Sequence, residues 1–96
     1  MESLAIACTL TPRQAQQRLE RWRIFDADYA LEVERGPGFL AVSYAKNEDS
    51  LLRLRELVAA EQTCCPFFDW RIDEQPHRLR LTVQGDDDQL ATLNLG

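Results

Sequence analysis

Histidine and methionine each occur once in these 96 residues, and cysteine three times. An odd cysteine count, with two of the three adjacent, does not suit a secreted disulfide scaffold. No apolar run approaches the roughly 20 residues of a membrane span. The first residues lack the basic start and apolar core of a secretory leader, so a reducing cytoplasm is the expected location. No glycine-rich phosphate loop, Ser-His-Asp set or HExxH segment occurs, which removes the commonest catalytic signatures. Basic charge is also scarce. Eleven Lys and Arg stand against sixteen Asp and Glu, a net charge of -5, whereas nucleic-acid binding needs a basic face. Arg13, Arg18, Arg21 and Arg23 cluster, but Glu20 and neighbouring glutamines dilute them, and they read as a solvated helix face.

What remains is patterned throughout. Leu4, Ile6, Cys8 and Leu10 alternate with smaller residues, the period-two signature of a strand. Thr11-Pro12-Arg13-Gln14 opens a helix, with Thr11 as cap and Pro12 at the first position. Ala15, Leu19 and Trp22, with Phe25 just beyond, form its apolar stripe. Tyr29, Leu31 and Val33 alternate with acids in a second strand. Gly36-Pro37-Gly38 turns the chain into Phe39–Ala45, which is apolar on both sides like a central strand. Asn47 caps a second helix carrying Leu51, Leu54, Val58 and Glu61 on one side; it must end near Cys65 because Pro66 follows. Phe68–Asp73 and Arg78–Val83 alternate as a second hairpin. Asp86 or Asp87 starts a short last helix bearing Leu90 and Leu93.

The chain thus reads as a single α+β domain over residues 1–96, in the order β-α-β-β-α-β-β-α. Its first six elements match the ferredoxin-like split βαβ sandwich, a mostly antiparallel sheet with helices on one face. The fifth strand is expected at an edge. In that topology the first and fourth strands are antiparallel neighbours, so Cys8 and the Cys64-Cys65 pair are expected at one end of the sheet.

Three chemistries are open to such thiols. A Cys64-Cys65 disulfide is strained, since adjacent Cα atoms are about 3.8 Å apart and bridged ones usually 4.4–6.8 Å. A bridge from Cys8 to either fits the fold, but a reducing compartment opposes it. A nucleophile needs a lowered thiol pKa, which a helix C-terminus and nearby Glu61 oppose. His77, the lone histidine, is expected at the far end of the fourth strand, so no base is at hand and an enzyme is the least supported reading. A thiophilic ion such as zinc deprotonates its own ligands. Cys8, Cys64 and Cys65, or two of them with Glu61, are the candidate metal ligands. The competing reading is plain burial, because free cysteine behaves as a small hydrophobe.

The segments Ala7-Cys8-Thr9-Leu10-Thr11-Pro12 and Glu61-Gln62-Thr63-Cys64-Cys65-Pro66-Phe67-Phe68 resemble those of a group of small uncharacterised bacterial proteins with ACTLTP-like and CCPF-like motifs. The resemblance covers nearly the whole chain and groups Cys8 with Cys64 and Cys65, but it carries no activity. Two expectations follow: a cysteine-based protein that binds a soft metal or senses oxidants, or a non-catalytic interaction module. The latter would be a homodimer with structurally buried cysteines, built on Phe39, Ala41 and Phe67 opposite the helices.

Overall fold

The computed structural model describes residues 12–64, 68–91 and 93. In chain order they form helix α1 (Pro12–Tyr29), strands β1 (Ala30–Gly36) and β2 (Phe39–Ala45), helix α2 (Glu48–Cys64), strands β3 (Asp69–Glu74) and β4 (Arg78–Gln84), and the short helix α3 (Asp87–Leu90). The chain is α+β, and its described strands make one four-stranded antiparallel sheet. The expected strand Leu4–Leu10 and the Thr11 cap lie outside the described residues.

The strand order is β1-β2-β4-β3. This corrects the place expected for residues 78–84, which are interior rather than at an edge. In the split βαβ order, the first strand would lie beside β2; here β1 and β4 occupy its two sides. The reason is visible in the side chains. Leu79, Leu81 and Val83 are fully buried opposite Tyr44, Val42 and Leu40. Each such residue contributes roughly 1.5–3 kcal/mol by leaving water. β3 alternates Trp70 and Ile72 with the exposed Asp69, Arg71 and Asp73, a pattern suited to the edge.

α1 and α2 lie over the apolar side of this sheet, and Trp22, Phe25, Leu54, Leu57 and Val58 join the strand residues in one core. α1 runs on through Tyr29, which the alternation had assigned to a strand. Tyr29 stands four residues after Phe25, and their rings pack 5.3 Å apart, so it extends the helix stripe. Leu19, placed on that stripe by spacing, is 43% exposed. β1 then absorbs an extra residue at Leu31, where its register with β2 shifts.

Local chemistry sets the remaining boundaries. Asn47 Oδ1 accepts from the Ser50 amide at 2.7 Å, and Ser50 Oγ accepts from the Asn47 amide at 2.9 Å, a reciprocal box at the start of α2. Gly38 has φ 76°, as a type II turn after Pro37 requires. Gly36 faces Phe39 across the hairpin, and a Cβ there would land on the Phe39 ring. Asp86 takes the cap position of α3 but makes no side-chain cap bond. Asp87 instead accepts from the Gly38 amide at 2.6 Å and ties α3 to the turn. Arg35 completes the tie by donating to the carbonyls of Leu90 (3.4 Å) and Leu93 (2.8 Å).

The other side of the sheet is a grid of charge. Arg78 pairs with Glu32 at 2.8 Å and Arg80 with Glu34 at 3.1 Å, reaching from β4 to β1 across β2. Beneath them on β2, Ala41 and Ser43 are 2% and 8% exposed.

α1 and α2 are antiparallel, and a clasp closes one end of the pair. The Tyr29 hydroxyl donates to Asp49, while Arg53 bonds Asp49 at 3.2 Å and Asp28 at 3.4 Å and lies over the Phe25 and Tyr29 rings. The Tyr29 hydroxyl bond, then Arg53, hold the Asp49 carboxyl below its ordinary 3.8. A carboxylate with a depressed folded pKa stabilises above its unfolded pKa, and that contribution fades as pH falls through the folded value. Wild type should therefore exceed Asp49→Asn in urea midpoint at about pH 7, with the gap shrinking by about pH 3. A gap independent of pH would show that the Asp49 charge does not contribute.

Candidate functional site

The end of the helix pair opposite the clasp is where the cysteine-bearing segments join the described fold. α1 begins there at Pro12, following the segment with Cys8. α2 ends there at Cys64, and β3 starts there at Asp69. Cys8 and Cys65 lie outside the described residues, and Cys64 is placed as the last residue of α2.

Beneath this end is a buried carboxylate. Glu61, on the α2 side carrying Leu54 and Val58, is 5% exposed. Its Oε2 accepts from Trp22 Nε1 at 3.1 Å and lies 3.7 Å from Arg18 Nε. Arg18 also donates from Nη1 to the Ala60 carbonyl at 3.3 Å. α2 has no basic residue in its own last turn, so Arg18 supplies from α1 the cation that a helix C-terminus favours. Burial strengthens these contacts, and a buried acid without partners would be costly.

Aromatic rings floor the same region. Trp22 and Trp70 stack at 6.2 Å and 24°, and Phe68 meets Trp70 edge-on at 6.1 Å and 88°. Trp70 Nε1 is buried with no hydrogen-bond partner among the described residues.

Of the four residues expected to hold a metal, Glu61 is the one whose side chain is described, and it is engaged by Trp22 and Arg18. Among the described residues, no group of three or more His, Cys, Asp and Glu side chains is placed to hold an ion. His77 is exposed in the β3–β4 turn, beyond Glu74 at the far end of β3. A groove of about 130 Å³ lined by Arg21, Ile24, Arg53, Glu56 and Leu57 is open and well below the roughly 300–1,000 Å³ of metabolite pockets. Among the described residues no helix is long and apolar enough to cross a membrane.

Arg18 is the residue that sequence reasoning passed over. Arg13, Arg21 and Arg23 are exposed as expected of a solvated helix face, but the Arg18 side chain is 21% exposed. Its signal was position: Arg18 precedes Trp22 by one turn, on the edge of the apolar stripe. Compared with known proteins, the chain matches no family model and no curated protein.

Replacing Glu61 by Ala strands the Trp22 donor and leaves Arg18 without its carboxylate. The expected loss is about 1–3 kcal/mol in urea unfolding. Glu61→Gln keeps an acceptor for Trp22 and should lose less. Equal losses would mean that the ion pair with Arg18, not the Trp22 bond, dominates.

Proposed function

We propose that this chain binds a thiophilic metal ion, with Cys8, Cys64 and Cys65 as the thiolate ligands and Glu61 as the nearby carboxylate. One observation carries the reading. Pro12, which follows the Cys8 segment, and Cys64 open from the same end of the described fold, above the buried Glu61. Cys8 is four residues from Pro12, a reach of at most about 14 Å. The outer edge of β3 is unpaired among the described residues.

Soft thiolates suit zinc or copper(I) better than hard cations. A reducing cytoplasm would keep the thiols free to ligate or to respond to oxidants.

The alternative is a homodimer. Leu31 and Val33 favour it, being 52% and 46% exposed on β1, an outer strand among the described residues. Ala41, one of the residues expected at the interface, is only 2% exposed and so is not offered to a partner; Phe67 lies outside the described residues. Antiparallel self-pairing of β1 about Val33 would also set Glu32 against Glu34.

Anaerobic titration of reduced protein with Zn²⁺ or Cu(I), against a competing chromophoric chelator, tests the reading. One equivalent should bind, and the Cys8→Ser/Cys64→Ser/Cys65→Ser variant should lose at least tenfold in affinity. Unchanged affinity in that variant sinks the proposal. A concentration-dependent dimer mass together with no thiol-dependent binding would select the alternative.

A further inference from the structure

We infer that the outer face of the helix pair is a contact surface for a second copy of this chain, with Arg21 of each copy set against Glu56 of the other. The inference is independent of the thiol reading above, and it concerns the helices rather than the sheet. It starts from the groove between α1 and α2. Arg21, Ile24, Arg53, Glu56 and Leu57 line it, and its volume of about 130 Å³ admits apolar side chains rather than a metabolite.

Two of these residues carry charge that the fold does not use. Arg53 is engaged by Asp28 and Asp49. Arg21 and Glu56 are both exposed, and neither makes an ion pair or hydrogen bond among the described residues. The open sheet face differs, because its Arg78 and Arg80 are matched by Glu32 and Glu34 of the same chain. Beside the two free charges stand Ile24 and Leu52, 50% and 60% exposed. Copies of a chain with net charge -5 repel one another in general. They meet most readily on a face where the charges alternate, as Arg21, Glu56, Arg53 and Asp28 do here.

The spacing makes this face complementary to itself. Ile24 follows Arg21 by three residues and Glu56 follows Leu52 by four, so each pair shares one side of its helix. Because the helices are antiparallel, the order from charge to apolar side chain runs the same way along both, toward the Arg53 clasp. A two-fold axis parallel to the helices and midway between them lays α1 of one copy on α2 of the other at unchanged height. Arg21 then meets Glu56 of the second copy and Ile24 meets its Leu52, and each contact occurs twice. Ala59, exposed one turn beyond Glu56, is small enough for the second α1 to approach closely. Exposed ion pairs fix orientation more than affinity, so the apolar pairs are needed as well.

Sedimentation of the reduced full chain tests this. The mass should rise with concentration from 11.1 kDa toward twice that value. Arg21→Glu and Glu56→Arg each set like charges opposite one another and should weaken association at least tenfold. The double variant Arg21→Glu/Glu56→Arg should restore it. Ile24→Asp should also weaken it at least tenfold, and Val33→Lys on β1 should leave it unchanged. All these side chains are exposed, so the near-ultraviolet circular dichroism of Trp22 and Trp70 should persist. Should one charge variant lose that signal, the other and Ile24→Asp decide. A chain that stays monomeric at every concentration overturns the inference. So does association that is equal in wild type and the folded single variants, or that only Val33→Lys abolishes. No metal enters the measurement, so the thiol reading stands or falls separately.

Discussion

The pairing of β2 with β4 is the constraint on which the rest of the structure depends. It runs without a break from Phe39↔Gln84 to Ala45↔Arg78 and buries Leu40, Val42 and Tyr44 against Leu79, Leu81 and Val83. Because side chains alternate along a strand, this register decides both faces of the sheet at once. One face becomes the floor for α1 and α2. The other receives Ala41 and Ser43, small enough for Arg78 and Arg80 to reach over them to Glu32 and Glu34. Surface ion pairs of this kind contribute roughly 0.2–1 kcal/mol each, so apolar burial drives the pairing and the charges follow it. With both sides of β2 and β4 filled, β1 and β3 are the outer strands among the described residues.

The helix pair laid on this floor is held by two different chemistries at its two ends. At one end the contacts are exposed and cationic, with Arg53 drawing Asp28, Asp49 and the rings of Phe25 and Tyr29 together. At the other they are buried, with a carboxylate under Trp22 and Arg18. Water screens the first set more than the second. The buried end therefore constrains geometry more tightly, and it is the end at which the cysteine segments attach.

Much of this was legible in the residues. The spacing of Leu51, Leu54 and Val58 assigned them to one side of α2; Leu54 and Val58 are at most 4% exposed and Leu51 is half-buried, whereas Glu61, which reads more readily as the polar edge of that helix, is 5% exposed. The Gly36-Pro37-Gly38 hairpin and the Asn47 cap follow from turn and capping chemistry alone. The order of strands did not follow. Alternation in Arg78–Val83 says that one face is buried, but not which neighbour buries it, and β4 reads the same at an edge as in the interior. Tyr29 was ambiguous for a similar reason, since it satisfies a period of two with Leu31 and a spacing of four with Phe25. Arg18 was hidden by its neighbours: charge count cannot separate one arginine that turns inward from three that do not.

Glu61 changes meaning between sequence and structure. Next to a cysteine pair, an acid at the end of a helix reads as a spare ligand, and as a negative charge hostile to thiolates. In the fold its charge faces Arg18, and its Oε2 is taken by Trp22. Arg18 also lies on the Ala60 carbonyl, so the negative end of the α2 dipole meets a cation there. The electrostatic objection to thiolates at this end is thus weaker than the local sequence implies. His77 sits beyond the far end of β3, so the positive charge that meets this end of α2 comes from Arg18.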